Sequence, residues 1–243
     1  MASLHDGWAR RAGLLGYSLL AYGILGCGGE GGRSRGETAS AAALPAAAEA
    51  SAAETGAGMA ADGELLLDDL TDGDARFAAA GISGEWFTYS DGTSMVTPAD
   101  HTGLVVTDGE AHVFGQRFSD WGVGLSAYLR SADLSAFCQL KLTLRGSGAI
   151  VVELATPATS PASEGGTCVG SGCFGHFAKT IQLEPTYQEF EIAFAELAQP
   201  SWAQPTQLSL AGVISFNLVT KAAPGAPVDI DLWVDRLALQ ACP

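Results

Sequence analysis

Four stretches in the second half of the chain alternate apolar and polar residues with a period of two. In CQLKLTLRG, Leu140, Leu142 and Leu144 alternate with Lys141, Thr143 and Arg145. QEFEIAF sets Phe190, Ile192 and Phe194 against Glu189, Glu191 and Ala193, and GVISFNLV sets Ile214, Phe216 and Leu218 against Ser215 and Asn217. VDIDLWVDRL sets Val228, Ile230, Leu232 and Val234 against Asp229, Asp231, Trp233 and Asp235. Successive side chains of a strand point to opposite faces, so each stretch predicts a strand with one buried face. Turns rich in Gly, Pro and Ser separate them, and no long helical stripe or internal repeat competes. The predicted fold class is all-β, an antiparallel β-sandwich.

This pattern does not extend to the N-terminal quarter. From Gly28 to Gly63 there is no aromatic residue and few large aliphatics. Such a segment cannot bury a core and reads as a flexible tether; Pro45 and the glycines limit any helix its alanines would favour. Composition changes at Glu64, and residues 64–243 suit a single domain. Ahead of the tether, Arg10-Arg11 precede the mostly apolar twelve-residue stretch Leu14–Leu25. A membrane-spanning helix needs about 20 apolar residues, so the stretch fits the hydrophobic region of a secretory signal. Ile24-Leu25-Gly26-Cys27 resembles a bacterial lipobox. That resemblance implies removal of residues 1–26 and lipid on Cys27, with residues 27–63 as a lipidated tether. Gly28, rather than aspartate, follows the cysteine, which in that group implies the outer membrane.

Net charge is −15, and residues 1–26 carry two arginines and one aspartate, so the remainder is more acidic still. An acidic chain gains nothing from releasing counterions on a phosphate backbone, which argues against nucleic acid as a partner. Anionic headgroups repel it too. Lipid is then the only membrane attachment expected, and a monomer is expected.

Within the domain, LLLDDLTDGDARF followed by GEWFTYSDGT resembles the opening of jelly-roll domains related to family 11 carbohydrate-binding modules and the complex I intermediate-associated protein 30 type. VDIDLWVDRLAL is similar to their last strand, and FSDWGVGLSAYL, CFGHFAKTIQL, TYQEFEIAFAEL and QPSWAQP to the middle of bacterial lipoproteins in this group. The likeness covers about Leu65 to Ala241. It implies a galactose-binding-like jelly roll and a structural calcium ion between the first and last strands, with Asp69 and Asp235 as the matched carboxylates. Thr71 stands where that pattern often has glutamate. A solvated acidic turn accounts for the same residues equally well.

Neutral sugars need flat aromatic surfaces and side chains that both donate and accept hydrogen bonds. Lys141, Thr143, Arg145, Glu153, Ser215 and Asn217 point away from the leucine stripes. On the premise that their strands share one sheet, they line one polar face. Trp86, Tyr89, Trp121, His176 and Trp202 lie near strand ends or loops that would rim it. No Gly-x-Ser-x-Gly elbow, His-Glu-x-x-His helix or phosphate-binding glycine loop appears, and the carboxylates crowd into the first and last strands. The reading is therefore a lipoprotein that binds polysaccharide without catalysis. A structural or protein-binding envelope lipoprotein is the alternative, and a divergent glycan-active enzyme a further one.

With Cys27 set aside for lipid, Cys138, Cys168, Cys173 and Cys242 remain, and an even count in an exported chain reads as disulfides. Three pairings are open. Cys168 and Cys173 enclose Val-Gly-Ser-Gly, whose glycines allow a tight turn. Cys138 opens one expected strand and Cys242 follows the last, so Cys138–Cys242 ties down the C-terminus if those strands are neighbours. Cys168, Cys173 and His176 are too few for zinc.

Overall fold

The computed structural model describes residues 59–243; the expected leader, Cys27 and most of the tether lie outside the described residues. The alternation produces β1 (Glu64–Asp68), β2 (Arg76–Ala79), β3 (Ile82–Ser90), β4 (Val96–Thr97), β5 (Val106–Thr107), β6 (Glu110–Phe118) and β7 (Gly122–Ala132). It continues with β8 (Phe137–Gly146), β9 (Gly148–Ala155), β10 (Phe177–Leu183), β11 (Gln188–Ala193), β12 (Val213–Lys221) and β13 (Val228–Ala241). Two 3-10 turns, Ala162–Glu164 and Phe194–Glu196, are the only helical pieces among the described residues.

The strands form two antiparallel sheets packed as a sandwich of the jelly-roll kind. The seven-stranded sheet runs β11-β8-β13-β6-β4, with β1 on β13 and β5 on β6; the six-stranded sheet runs β10-β9-β12-β7-β3-β2. β13 is the spine of the first. It pairs with β8 along one side, and with β6 and then β1 along the other. The chain joins the fold just ahead of β1: the Ala241 amide donates to the Gly63 carbonyl, and the Gln240 side chain to that of Asp62.

The period-two stripes meet between the sheets. Leu140, Leu142, Leu144, Leu232 and Val234 from one sheet and Leu125, Ile150, Leu154, Phe216 and Leu218 from the other are buried in one cluster. Each such side chain contributes roughly 1.5–3 kcal/mol by leaving water. Trp86 belongs here too. It is 2% exposed, packs edge-on against Phe77 at 6.1 Å, and donates its indole N–H to Asp68 Oδ2 at 2.7 Å.

Asp68 carries a testable consequence. Burial raises its carboxyl from 3.8 to about 6, against the hydrogen bonds from the Leu70 amide and Trp86, with Asp72 and Asp69 adding to the rise. Between those values the folded chain holds a proton that the unfolded chain has released, so this group's contribution is full below 3.8 and is lost as pH rises through 6. Urea unfolding across this range should show the wild type losing stability relative to Asp68→Asn as pH rises. A relative gain would mean that the two hydrogen bonds outweigh burial.

Both disulfides form. Cys138–Cys242 joins the start of β8 to the end of β13, with Cα atoms 4.9 Å apart. Cys168–Cys173 closes the glycine turn, with Cα atoms 5.7 Å apart.

Candidate functional site

The premise that the polar residues share one sheet fails. β8 lies in the seven-stranded sheet, and β9 and β12 lie in the other. The chain crosses between them in a three-residue corner, Gly146-Ser147-Gly148. Gly146 has φ 153°, and a Cβ there would run into the Asp231 carbonyl. Lys141, Thr143 and Arg145 therefore face one side of the sandwich, and Glu153, Ser215 and Asn217 the other.

On the seven-stranded side, Arg145 is engaged by its neighbours. Its guanidinium lies 4.0 Å over the Trp233 ring and 5.0 Å over Tyr187, and reaches Glu110 at 3.2 Å. His112 stacks on Trp233 at 3.9 Å and 9°. Arg145 and His112 sit on strands that flank β13 from opposite sides, so both faces of the indole are covered. Lys141 is likewise engaged by Glu64, Glu189 and Glu191. This side is a braced surface of interlocked charges and rings.

The six-stranded side gathers the rest. Strand register puts Phe87, Ser126, Asn217, Glu153 and Ala178 in one row across β3, β7, β12, β9 and β10. Tyr89, Gly124, Val219, Val151 and Thr180 make the next row, and Tyr128 and Ser215 stand on the other flank. Tyr89 stacks on Trp121 with centroids 5.7 Å apart. Phe87 touches Tyr89, Tyr128 and His101. Beneath these rings the floor is polar. Ser126 donates to Asn217 Oδ1 at 2.9 Å, and Glu153 is ion-paired with Lys221. Glu153 is 6% exposed and Lys221 43%, so the pair is reached from the lysine's side. There a groove of about 380 Å³ opens between Ala149, Val151, Lys221 and Asp229.

The chain between β9 and β10, residues 156–176, forms a strap over the opposite flank. It is folded on itself by backbone bonds from Thr167 to Pro157, Cys168 to Ser160 and Phe174 to Thr159. Burial, then the nearby carboxylates of Glu153 and of Glu164 on the strap, push the Tyr89 phenol well above its ordinary range. His176, at the strap's end, is buried and hydrogen-bonds Thr159 Oγ1 through Nδ1 at 2.9 Å. Burial lowers its pKa; Glu153 works against that shift and Lys221 adds to it. The net shift favours the neutral imidazole. β10 starts at Phe177, directly after it.

Of the expected aromatics, Tyr89 and Trp121 lie on this face. Trp86 does not: it is three residues from Tyr89 on one strand, so it points into the core. Trp202 is 56% exposed on the loop between β11 and β12. Phe87, Ser126, Tyr128 and Lys221 complete the face, although the sequence reading did not single them out. Period two in GEWFTYS signals Phe87, which shares parity with Tyr89. Burial, then Glu110, raise the Asp235 carboxyl; Arg236 works against the rise and Asp69 adds a little to it. Asp69 Oδ1 already accepts from the Thr71 amide and hydroxyl. Among the described residues no group of three or more His, Cys, Asp or Glu is placed to hold a metal.

No protein-family model matches the chain, and no curated protein does. Solved structures do. The family 11 carbohydrate-binding module of the cellulosomal cellulase Lic26A-Cel5E of Clostridium thermocellum aligns with a TM-score of 0.51 at 21% identity, over 75% of this chain and 97% of that one. A family 11 module from Clostridium thermocellum in complex with a β-1,3-1,4-mixed-linked tetrasaccharide aligns with a TM-score of 0.51 at 20% identity, over 75% and 98%. At this identity the likeness establishes the fold.

Proposed function

We propose that this protein binds a neutral polysaccharide, without catalysis, on the outer face of the six-stranded sheet. The observation that carries the reading is the pairing of a polar floor (Ser126, Asn217, Glu153–Lys221) with a row of rings (Phe87, Tyr89, Tyr128, Trp121) on one face. Sugar hydroxyls exchange hydrogen bonds with such a floor while their C–H patches lie against the rings. The shared fold with a module recorded holding a mixed-linked tetrasaccharide supports β-glucan as the first class to test. In the same proposal the domain stands at the outer membrane, anchored by lipid on Cys27 and spaced by residues 28–63. Release of Cys27→Ser into the soluble fraction tests that part, and continued membrane retention would refute it.

Affinity electrophoresis in mixed-linked β-glucan, xylan and galactan should show retardation on at least one glycan. Trp121→Ala should weaken binding about tenfold, which corresponds to roughly 1.4 kcal/mol, with little change in unfolding midpoint because the ring is partly exposed. Absence of retardation by folded protein on every glycan would sink the reading and favour a role in envelope structure or protein contacts. Release of reducing ends would favour an enzyme.

A further inference from the structure

We infer that the paired loops around Cys168–Cys173 and Trp202 form a second contact for the same glycan, catching the chain where it leaves the face beyond β10. This inference rests on the reading above. The central row of that face, Phe87 to Ala178, does not stop at β10. Ala178 forms an antiparallel bridge with Ala198, which extends the six-stranded sheet by one position. Neighbouring strands are about 4.8 Å apart, so the row from β3 to Ala198 spans roughly 24 Å. A polymer lying along it runs off the edge at Ala198. Four residues further on, the loop holds Trp202 out, and the strap beside it holds out Phe174 and Val169. These three are 56%, 48% and 78% exposed.

The two loops brace the backbone that carries those side chains. The Gln204 amide donates to the Gly172 carbonyl at 3.3 Å, and Gln199 Nε2 to the Gly175 carbonyl at 2.8 Å. Gln199 Oε1 accepts the Thr206 amide at 2.9 Å. Gly175 packs so closely on Ala203 that a Cβ would collide with it. Phe174 sits at φ 67°, a costly conformation for a side-chain-bearing residue, and is kept there by its own amide bond to Thr159 and by the adjoining disulfide. A loop backbone fixed in advance loses little entropy on binding. Phe174 also meets His176 edge-on at 6.2 Å, which makes the tip continuous with the strap that walls the face.

Composition selects the occupant. Residues 167–178 and 197–212 contain no Asp, Glu, Lys or Arg in a chain of net charge −15. They offer rings, amides (Gln204, Gln207) and hydroxyls (Ser171, Ser201, Thr206). That set suits a neutral, hydroxyl-rich chain with C–H faces and gives no purchase to phosphate, anionic lipid or a charged peptide.

The consequence is dependence on chain length. Titration calorimetry of the full chain with a mixed-linked β-glucan tetrasaccharide and octasaccharide should give about tenfold tighter binding of the longer ligand. Phe174→Ala/Trp202→Ala should erase that gain and leave the tetrasaccharide unchanged, with the thermal unfolding midpoint retained because both rings are exposed. Trp121→Ala should weaken both ligands. If the double variant keeps the gain while Trp121→Ala still weakens both, the tip is no subsite and the face reading survives. If the double variant loses the tetrasaccharide as well, the tip shapes the face rather than extending it, and the inference is overturned. Concentration-dependent self-association lost in Trp202→Ala, with glycan binding unaltered, assigns the tip to a second copy of the chain. If the wild type binds neither ligand, the inference is overturned for β-glucan, and retardation on xylan or galactan then decides whether the face reading stands.

Discussion

Trp86→Ala is expected to lower stability by about 3–5 kcal/mol, as for other large buried aromatics cut to alanine. The ring is 2% exposed and held against Phe77, so its removal leaves a cavity between β3 and the opposite sheet. It also strips Asp68 of the indole N–H that approaches at 2.7 Å, leaving a buried carboxyl with the Leu70 amide as its remaining donor. Urea unfolding should show a lower midpoint at an unchanged slope. The contrast with Trp121→Ala is the informative part. One tryptophan should change stability and leave the affinity of the folded fraction intact, and the other should do the reverse. A loss below about 1 kcal/mol for Trp86→Ala, within the range of ordinary substitutions, would place the indole outside the core.

The second large effect lies in the long disulfide. Cys138 and Cys242 are 104 residues apart in sequence and close the ladder between β8 and β13. Serine at both positions should cost about 2–5 kcal/mol, with the chain-entropy argument placing a loop of this length near the top of that range. Cys168 and Cys173 are five residues apart, so the same argument gives roughly 2 kcal/mol or less. Thermal unfolding of the two double serine variants should rank them in that order. A larger loss from the short loop would mean that the strap, and not the β8–β13 ladder, limits stability. The short bridge is expected to act on binding instead, because it holds the backbone that presents Phe174.

The faces of single strands were legible in the sequence because alternation is local. Leu140, Leu142 and Leu144 are buried, as are Ile230, Leu232 and Val234, just as a period of two requires. The same parity separates Trp86 from Tyr89, yet both fall in one aromatic motif, and grouping them by type hid what their spacing showed. The disulfide partners were legible in part. Val-Gly-Ser-Gly marks a tight turn locally, whereas Cys138–Cys242 depends on β8 lying beside β13.

Other features of the candidate site carry no local mark. Nothing in LTLRGSGAIVVEL distinguishes a hairpin within one sheet from a corner between two. Only the contacts of Gly146 with the Asp231 carbonyl and the Glu184 backbone turn it into a corner. That corner sends Arg145 and Glu153 to opposite sides of the molecule. The covering of Trp233 by His112 and Arg145 likewise requires three strands far apart in sequence. By itself the sequence determined an all-β sandwich, its buried stripes and the residue types able to meet a sugar, because these follow from side-chain alternation and chemistry along the chain. The tertiary structure decided which sheet each strand joins, and so which of those residues share a face, because strand neighbours are chosen by long-range pairing that no short window of sequence contains.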